Sequence, residues 1–83
     1  MRIISVAALG ADWTVRAHGF ENDMLFRSGA RAEAAARRLG ERLAASGEAC
    51  EIQVHDRTGA LVGRFLCAAP GPSRGALAQA SPP

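Results

Sequence analysis

Hydrophobic and polar positions change their period several times along this chain, and each change marks an element. Ile3-Ile4-Ser5-Val6-Ala7-Ala8-Leu9 is a short apolar run that opens on β-branched residues, and Gly10-Ala11-Asp12 ends it with turn chemistry. Trp13 to His18 then alternates, with Trp13, Val15 and Ala17 on one side, as a half-buried strand does. Gly19-Phe20-Glu21-Asn22-Asp23 reads as the next turn, and Met24-Leu25-Phe26-Arg27 as a third short strand.

From Ser28 to Gly47 the period lengthens to that of an amphipathic helix. Ser28 is a fitting N-cap, because its hydroxyl can accept from a first-turn N–H, and Ser46-Gly47 supplies a left-handed stop. Helical spacing predicts that Ala32, Ala35, Ala36, Leu39 and Leu43 share the buried face, with Glu33, Arg37 and Glu41 opposite. A face made mostly of alanine lets the helix lie close to whatever it covers.

Cys50-Glu51-Ile52-Gln53-Val54-His55 alternates again, Asp56-Arg57-Thr58-Gly59 is a hairpin turn, and Leu61-Val62-Gly63-Arg64-Phe65-Leu66-Cys67 is apolar on both faces. The order βββαββ implies an α+β fold: an antiparallel sheet of about five strands with one helix packed on one face. Residues 1–69 form a single domain on this reading, and the Pro/Gly-rich residues 70–83 a disordered tail.

Parity limits the last hairpin. An even loop puts Cys50, Ile52 and Val54 on the same face as Leu61, Gly63, Phe65 and Cys67; an odd loop with Gly59 in a bulge brings Val62, Arg64 and Leu66 there instead. Phe65 is the larger apolar side chain, which favours the even loop. The face without a helix would then carry Val62 and Leu66, and either Ile4 and Val6 or Ile3, among Thr14, Arg16, His18 and Gln53. That is more apolar than a solvated sheet face requires, and it points to self-association through this face or through an edge strand.

Composition adds limits. In 83 residues, 48% hydrophobic and 22% charged, there is room for one small core. All ten cationic residues are arginine, a bias that a GC-rich bacterial coding sequence produces without functional selection. A formal charge of +2 is too small to imply nucleic acid by itself, since phosphate binding needs clustered cations. No apolar run has the length of a membrane span. Arg2 followed by Ile3 to Leu9, with Ala8 and Gly10 beyond, has the outline of a miniature signal peptide, but it is very short and a strand explains it better. The expected compartment is the cytoplasm.

Candidate chemistry is sparse. Cys50, Cys67, His18 and His55 could compose a Cys₂His₂ zinc site, but their spacing matches no zinc motif, and alternation puts His55 on the opposite face from Cys50. Cys50 and Cys67 can fall opposite one another in an even-loop register, where a cross-strand disulfide or redox pair is the alternative to two free thiols. Neither Cys-x-x-Cys nor a helix N-terminus is there to lower a thiol pKa, so reduced, buried cysteines are expected. Arg31, Arg38 and Arg42 lie along one helix flank and, with Arg16 and Arg64, are the candidate nucleic-acid contacts; as structural residues, their stems would cover the core edge. Trp13 and Phe65 are the expected core anchors. No catalytic, cofactor-binding or metal-ligating set is legible.

Trp13-Thr14-Val15, Ala32-Glu33-Ala34-Ala35-Ala36-Arg37 and Val54-His55-Asp56-Arg57-Thr58-Gly59 together resemble a group of short bacterial proteins classed as a domain of unknown function. That group has a Trp-x-Val strand, an Ala-rich helix and a Val-His-x-x-x-Gly hairpin. The resemblance runs from about Trp13 to Phe65 and implies a hairpin–helix–hairpin α+β domain with no assigned activity. It supplies no catalytic residues. The strand Ile3 to Leu9 and the tail depart from the pattern. The functional expectation is a non-enzymatic protein-interaction or assembly module, with a weak nucleic-acid-binding domain as the alternative and an enzyme third.

Overall fold

Two-residue periodicity decides the strands, and the first hairpin shows how. In the computed structural model, which describes residues 1–69, β1 spans Arg2–Leu9 and β2 spans Asp12–Ala17. They pair antiparallel from Ile4↔Ala17 to Leu9↔Asp12, so Gly10 and Ala11 alone form the turn. Gly10 takes a φ of 59°, the conformation that a tight hairpin demands at its first central position and that glycine adopts without a Cβ penalty. The short β3, Met24–Phe26, pairs antiparallel with β2. The expected tail, residues 70–83, lies outside the described residues.

The helix α1 runs from Gly29 to Ala45, with Ser28 as its N-cap. Ser28 Oγ accepts from the Arg31 N–H at 3.1 Å. At the other end Gly47, at φ 102°, donates to the Ala44 carbonyl, and Glu48 N–H donates to the Leu43 carbonyl. These are the two bonds of a Schellman stop, so both ends of the helix are fixed by the residues that the sequence singles out.

The sheet corrects one expectation. Strands β4 (Cys50–His55) and β5 (Leu61–Cys67) complete the order β3-β2-β1-β4-β5, and β4 pairs with β1 in parallel, from Arg2↔Cys50 to Val6↔Val54. The sheet is therefore mixed rather than purely antiparallel. The cause is direction. Two reversals leave β3 running with β1, and a helix about 25 Å long carries the chain back to the end where β1 begins. A strand started there and laid beside β1 must run parallel to it.

The helix covers one face. Beneath it lie Ile4, Val6, Val15, Ala17, Cys50 and Ile52, against Ala32, Ala36 and Leu39 of α1, with Leu43 packed at the margin. Of the two options for β1, Ile4 and Val6 are the covered pair, because Ile4 stands opposite Ala17 and Val6 opposite Val15. Gly40, which the alanine pattern does not reveal, is also buried. A Cβ there would sit 2.9 Å from Cys67 Sγ and 3.3 Å from Ile52 Cδ1, so this glycine sets how closely the helix approaches β4 and β5.

Trp13 and Phe65 are less central than expected. Both are partly buried and pack against the core from its rim. Gly29 lies on the Trp13 indole, where an added Cβ would be 3.2 Å away. Arginines complete the cover: Arg57 lies over Trp13 at 5.1 Å from the ring centroid, and Arg37 over Phe65 at 4.0 Å. The fully buried centre belongs to Ile4, Val6, Val15, Cys50 and Ile52. Their short side chains, four of them β-branched, fit where an alanine-faced helix leaves no room for a ring.

The last hairpin keeps the favoured facing by a different route. Cys50 stands opposite Cys67, Ile52 opposite Phe65 and Val54 opposite Gly63, while His55 pairs with Leu61. The connecting loop, Asp56–Ala60, is odd in length, and the extra residue is absorbed by a β-bulge beside Val54 and His55. Leu61, expected on the helix side, is instead exposed. Asp56 Oδ1 holds this loop by accepting from Thr58 N–H at 2.8 Å, Thr58 Oγ1 at 2.6 Å and Ala60 N–H at 3.1 Å.

Candidate functional site

The uncovered face is built from the alternate residues of the same strands. Ile3, Ser5 and Ala7 of β1 lie between Thr14 and Arg16 of β2 and Glu51 and Gln53 of β4. Arg64 and Leu66 of β5 continue two of these rows, opposite Gln53 and Glu51. Leu25 stands opposite Thr14 at the far side.

Charge on this face is paired locally. Arg16 grips Asp23 through two hydrogen bonds, of 2.9 and 2.7 Å, and holds its carboxyl below the usual carboxylate range. Glu51 accepts from Gln53 at 2.8 Å and from Arg64 at 3.1 Å, and these bonds lower it as well. Between the strands a hollow of about 380 Å³ is lined by Ser5, Ala7, Thr14 and Arg16 among others. Its cation, Arg16, is already paired with Asp23, which lines the same hollow.

Apolar exposure concentrates toward the edges. Leu25 is 61% exposed, Val62 61% and Leu66 64%. The edges differ in length: β3 has three residues and β5 has seven. In β5 the one charged residue, Arg64, reaches inward to Glu51 rather than standing guard on the outer rim.

The five candidate arginines do not form one surface. Arg31, Arg38 and Arg42 lie exposed on α1, whereas Arg16 and Arg64 lie on the opposite face of the sheet and are each in an ion pair. Arg37 bridges to Glu33 at 3.1 Å, the local partner that helical spacing offers it, and also covers Phe65. Glu48 pairs with Arg2 at 2.7 Å. That contact was missed because it joins two sequence-distant ends that only the parallel β1–β4 pairing brings together.

Histidines and cysteines are separated as alternation requires. Cys50 and Cys67 are on the helix side, both free thiols, while His55 Nδ1 lies 3.1 Å from the Val6 carbonyl and His18 is exposed at the end of β2. Among the described residues no group of three or more His, Cys, Asp or Glu side chains is placed to hold a metal ion. No helix among them is long and apolar enough to cross a membrane. No family model, no curated protein and no solved structure matches the chain.

Proposed function

We propose that this is a non-enzymatic assembly module whose partner is a second copy of itself, joined along β5. The carrying observation is the asymmetry of the two sheet edges. A three-residue edge such as β3 offers little to pair with, whereas β5 offers seven residues, with Val62 and Leu66 exposed and its charge drawn inward. Long apolar edges with free backbone groups are templates for another strand.

Symmetry makes a second copy a good fit. Antiparallel self-pairing about a two-fold axis normal to the sheet keeps faces aligned, so residues of equal parity meet. The Val62, Arg64 and Leu66 rows of the two copies then become neighbours, and Leu66 is covered against the other row. The helix stays clear of this junction. The reading includes a cytoplasmic bacterial setting, supported by the cysteine usage and by the all-arginine composition.

Sedimentation equilibrium tests the proposal. The mass is expected to rise from that of one 8.7 kDa chain toward two as concentration increases. Leu66→Arg is expected to hold it at one chain with unchanged circular dichroism. A wild-type mass of one chain at high micromolar concentration overturns the reading. The nucleic-acid alternative makes its own demand: salt-sensitive DNA or RNA binding that weakens in an Arg31, Arg38 and Arg42 triple substitution.

A further inference from the structure

Cys50 and Cys67 are the two cysteines of the chain, and the β4–β5 register sets them directly opposite one another. Directly opposed residues in an antiparallel pair stand about 4.5–5.5 Å apart at Cα, within the span that a disulfide bridges. Cys50 is fully buried and Cys67 half-buried. Room for the outer sulfur comes from Gly40, whose missing Cβ would otherwise lie 2.9 Å from Cys67 Sγ. The inner thiol is held in place, its Sγ donating to the Glu48 carbonyl at 3.4 Å.

We propose that Cys50 and Cys67 form a reversible cross-strand disulfide site that reacts with low-molecular-weight disulfides. The partner is written RS–SR. Cys67, the more accessible of the two, loses its proton and its thiolate attacks one sulfur of RS–SR. The S–S bond of the reagent breaks, a mixed disulfide forms on Cys67, and the departing RS⁻ takes up the proton. Cys50 then attacks Cys67 Sγ as a thiolate, the mixed bond breaks, and the second RS⁻ leaves with the proton from Cys50. Two protein thiols are oxidised to one disulfide, and one RS–SR is reduced to two RSH.

The order of attack follows from burial. Desolvation is the largest influence on the Cys50 thiol and pushes its pKa up, with Cys67 and Glu48 adding to the rise, which together with its burial disfavours Cys50 as the first attacker. The product ties the first residue of β4 to the last residue of β5, at the end of the hairpin away from its loop. Neither step depends on how, or whether, β5 pairs with another chain.

The test equilibrates the full chain in glutathione buffers of increasing oxidised fraction, followed by intact mass and thiol alkylation. Both thiols are expected to vanish together, with the mass of two hydrogens lost, and to return on reduction. Thiols that survive the most oxidised buffer, a wild-type product that stops at a glutathione adduct, or a covalent dimer would each overturn the proposal. Cys50→Ser is expected to trap the glutathione adduct on Cys67, whereas Cys67→Ser is expected to leave Cys50 unmodified in the folded chain. The reverse pattern refutes the order of attack. If either variant fails to fold, the wild-type mass alone decides.

Discussion

The two faces of the sheet are made by the same strands and obey different rules. Under the helix, Ile4, Val6, Val15 and Ile52 meet alanines and a glycine, with no buried polar side chain among the described core residues. On the other side, Thr14, Arg16, Gln53 and Glu51 are joined by hydrogen bonds and ion pairs to nearby groups. The covered face draws its stability from close packing, and its geometry leaves little freedom for substitution. The open face is organised by local charge pairing, which contributes little to stability because water already solvates each partner. One strand thus holds a structural residue and a surface residue at successive positions.

Successive positions of β4 give the sharpest way to break this contrast. Ile52→Ala removes a fully buried side chain beneath Leu39 and Gly40 and is expected to cost about 2–5 kcal/mol in urea denaturation. Gln53→Ala, one residue on, is expected to change stability by less than about 0.5 kcal/mol. Similar losses at both positions would mean that the uncovered face is packed in solution.

Gly40→Ala probes the covered face from the helix side. Helix propensity alone predicts a gain of up to about 1 kcal/mol. The added methyl would press on Cys67 Sγ and Ile52 Cδ1, and overpacking of this kind costs about 1–3 kcal/mol. A net loss of about 1 kcal/mol is therefore expected from thermal or chemical unfolding. A gain would show that the helix can lift off the sheet at little cost.

The smallest effect belongs to the open face and shows in acid. Asp23 and Glu51 are held below the usual carboxylate range by their hydrogen-bonded partners, Arg16 for the first, Gln53 and Arg64 for the second. Their folded values lie below their unfolded ones, so their contribution is complete above about pH 4 and disappears as pH falls through the folded values. Asp23→Asn with Glu51→Gln is expected to flatten the acid side of a stability–pH profile while leaving the neutral side nearly unchanged. An unchanged acid slope would assign that slope elsewhere, with Asp56 the next group to test because it too is held low, by Thr58 first and by the Ala60 N–H.

Much of this architecture can be read from residue order, because strands and helix follow from periodicity and the caps follow from side chains acting on their own backbone. Ser28, Gly10 and Gly47 needed no distant partner to be recognised. Alternation assigns a residue to a face and says nothing about which strand lies beside it, and that is why the parallel β1–β4 pair was missed. The Arg2–Glu48 contact was invisible for the same reason. Gly40 escaped notice because a helical glycine has a reason only once its neighbour across the interface is known. The even-loop argument chose the right facing for Ile52 and Phe65 but could not see that a bulge, rather than the loop, adjusts the count. Of the candidate surface, the scatter of the five arginines over two faces required the fold itself.

Placing β1 at the centre of the sheet has a kinetic consequence. The first strand gains its second neighbour only after the helix has returned the chain to Cys50, roughly 50 positions later, so the middle of the sheet closes through the longest loop in the domain. The β1–β2 hairpin can form early from nearby contacts, but one flank of β1 then waits for synthesis or diffusion to deliver β4. During that interval Ile4 and Val6 lack the full cover that Ala32, Ala36, Leu39 and Ile52 give them in the finished fold.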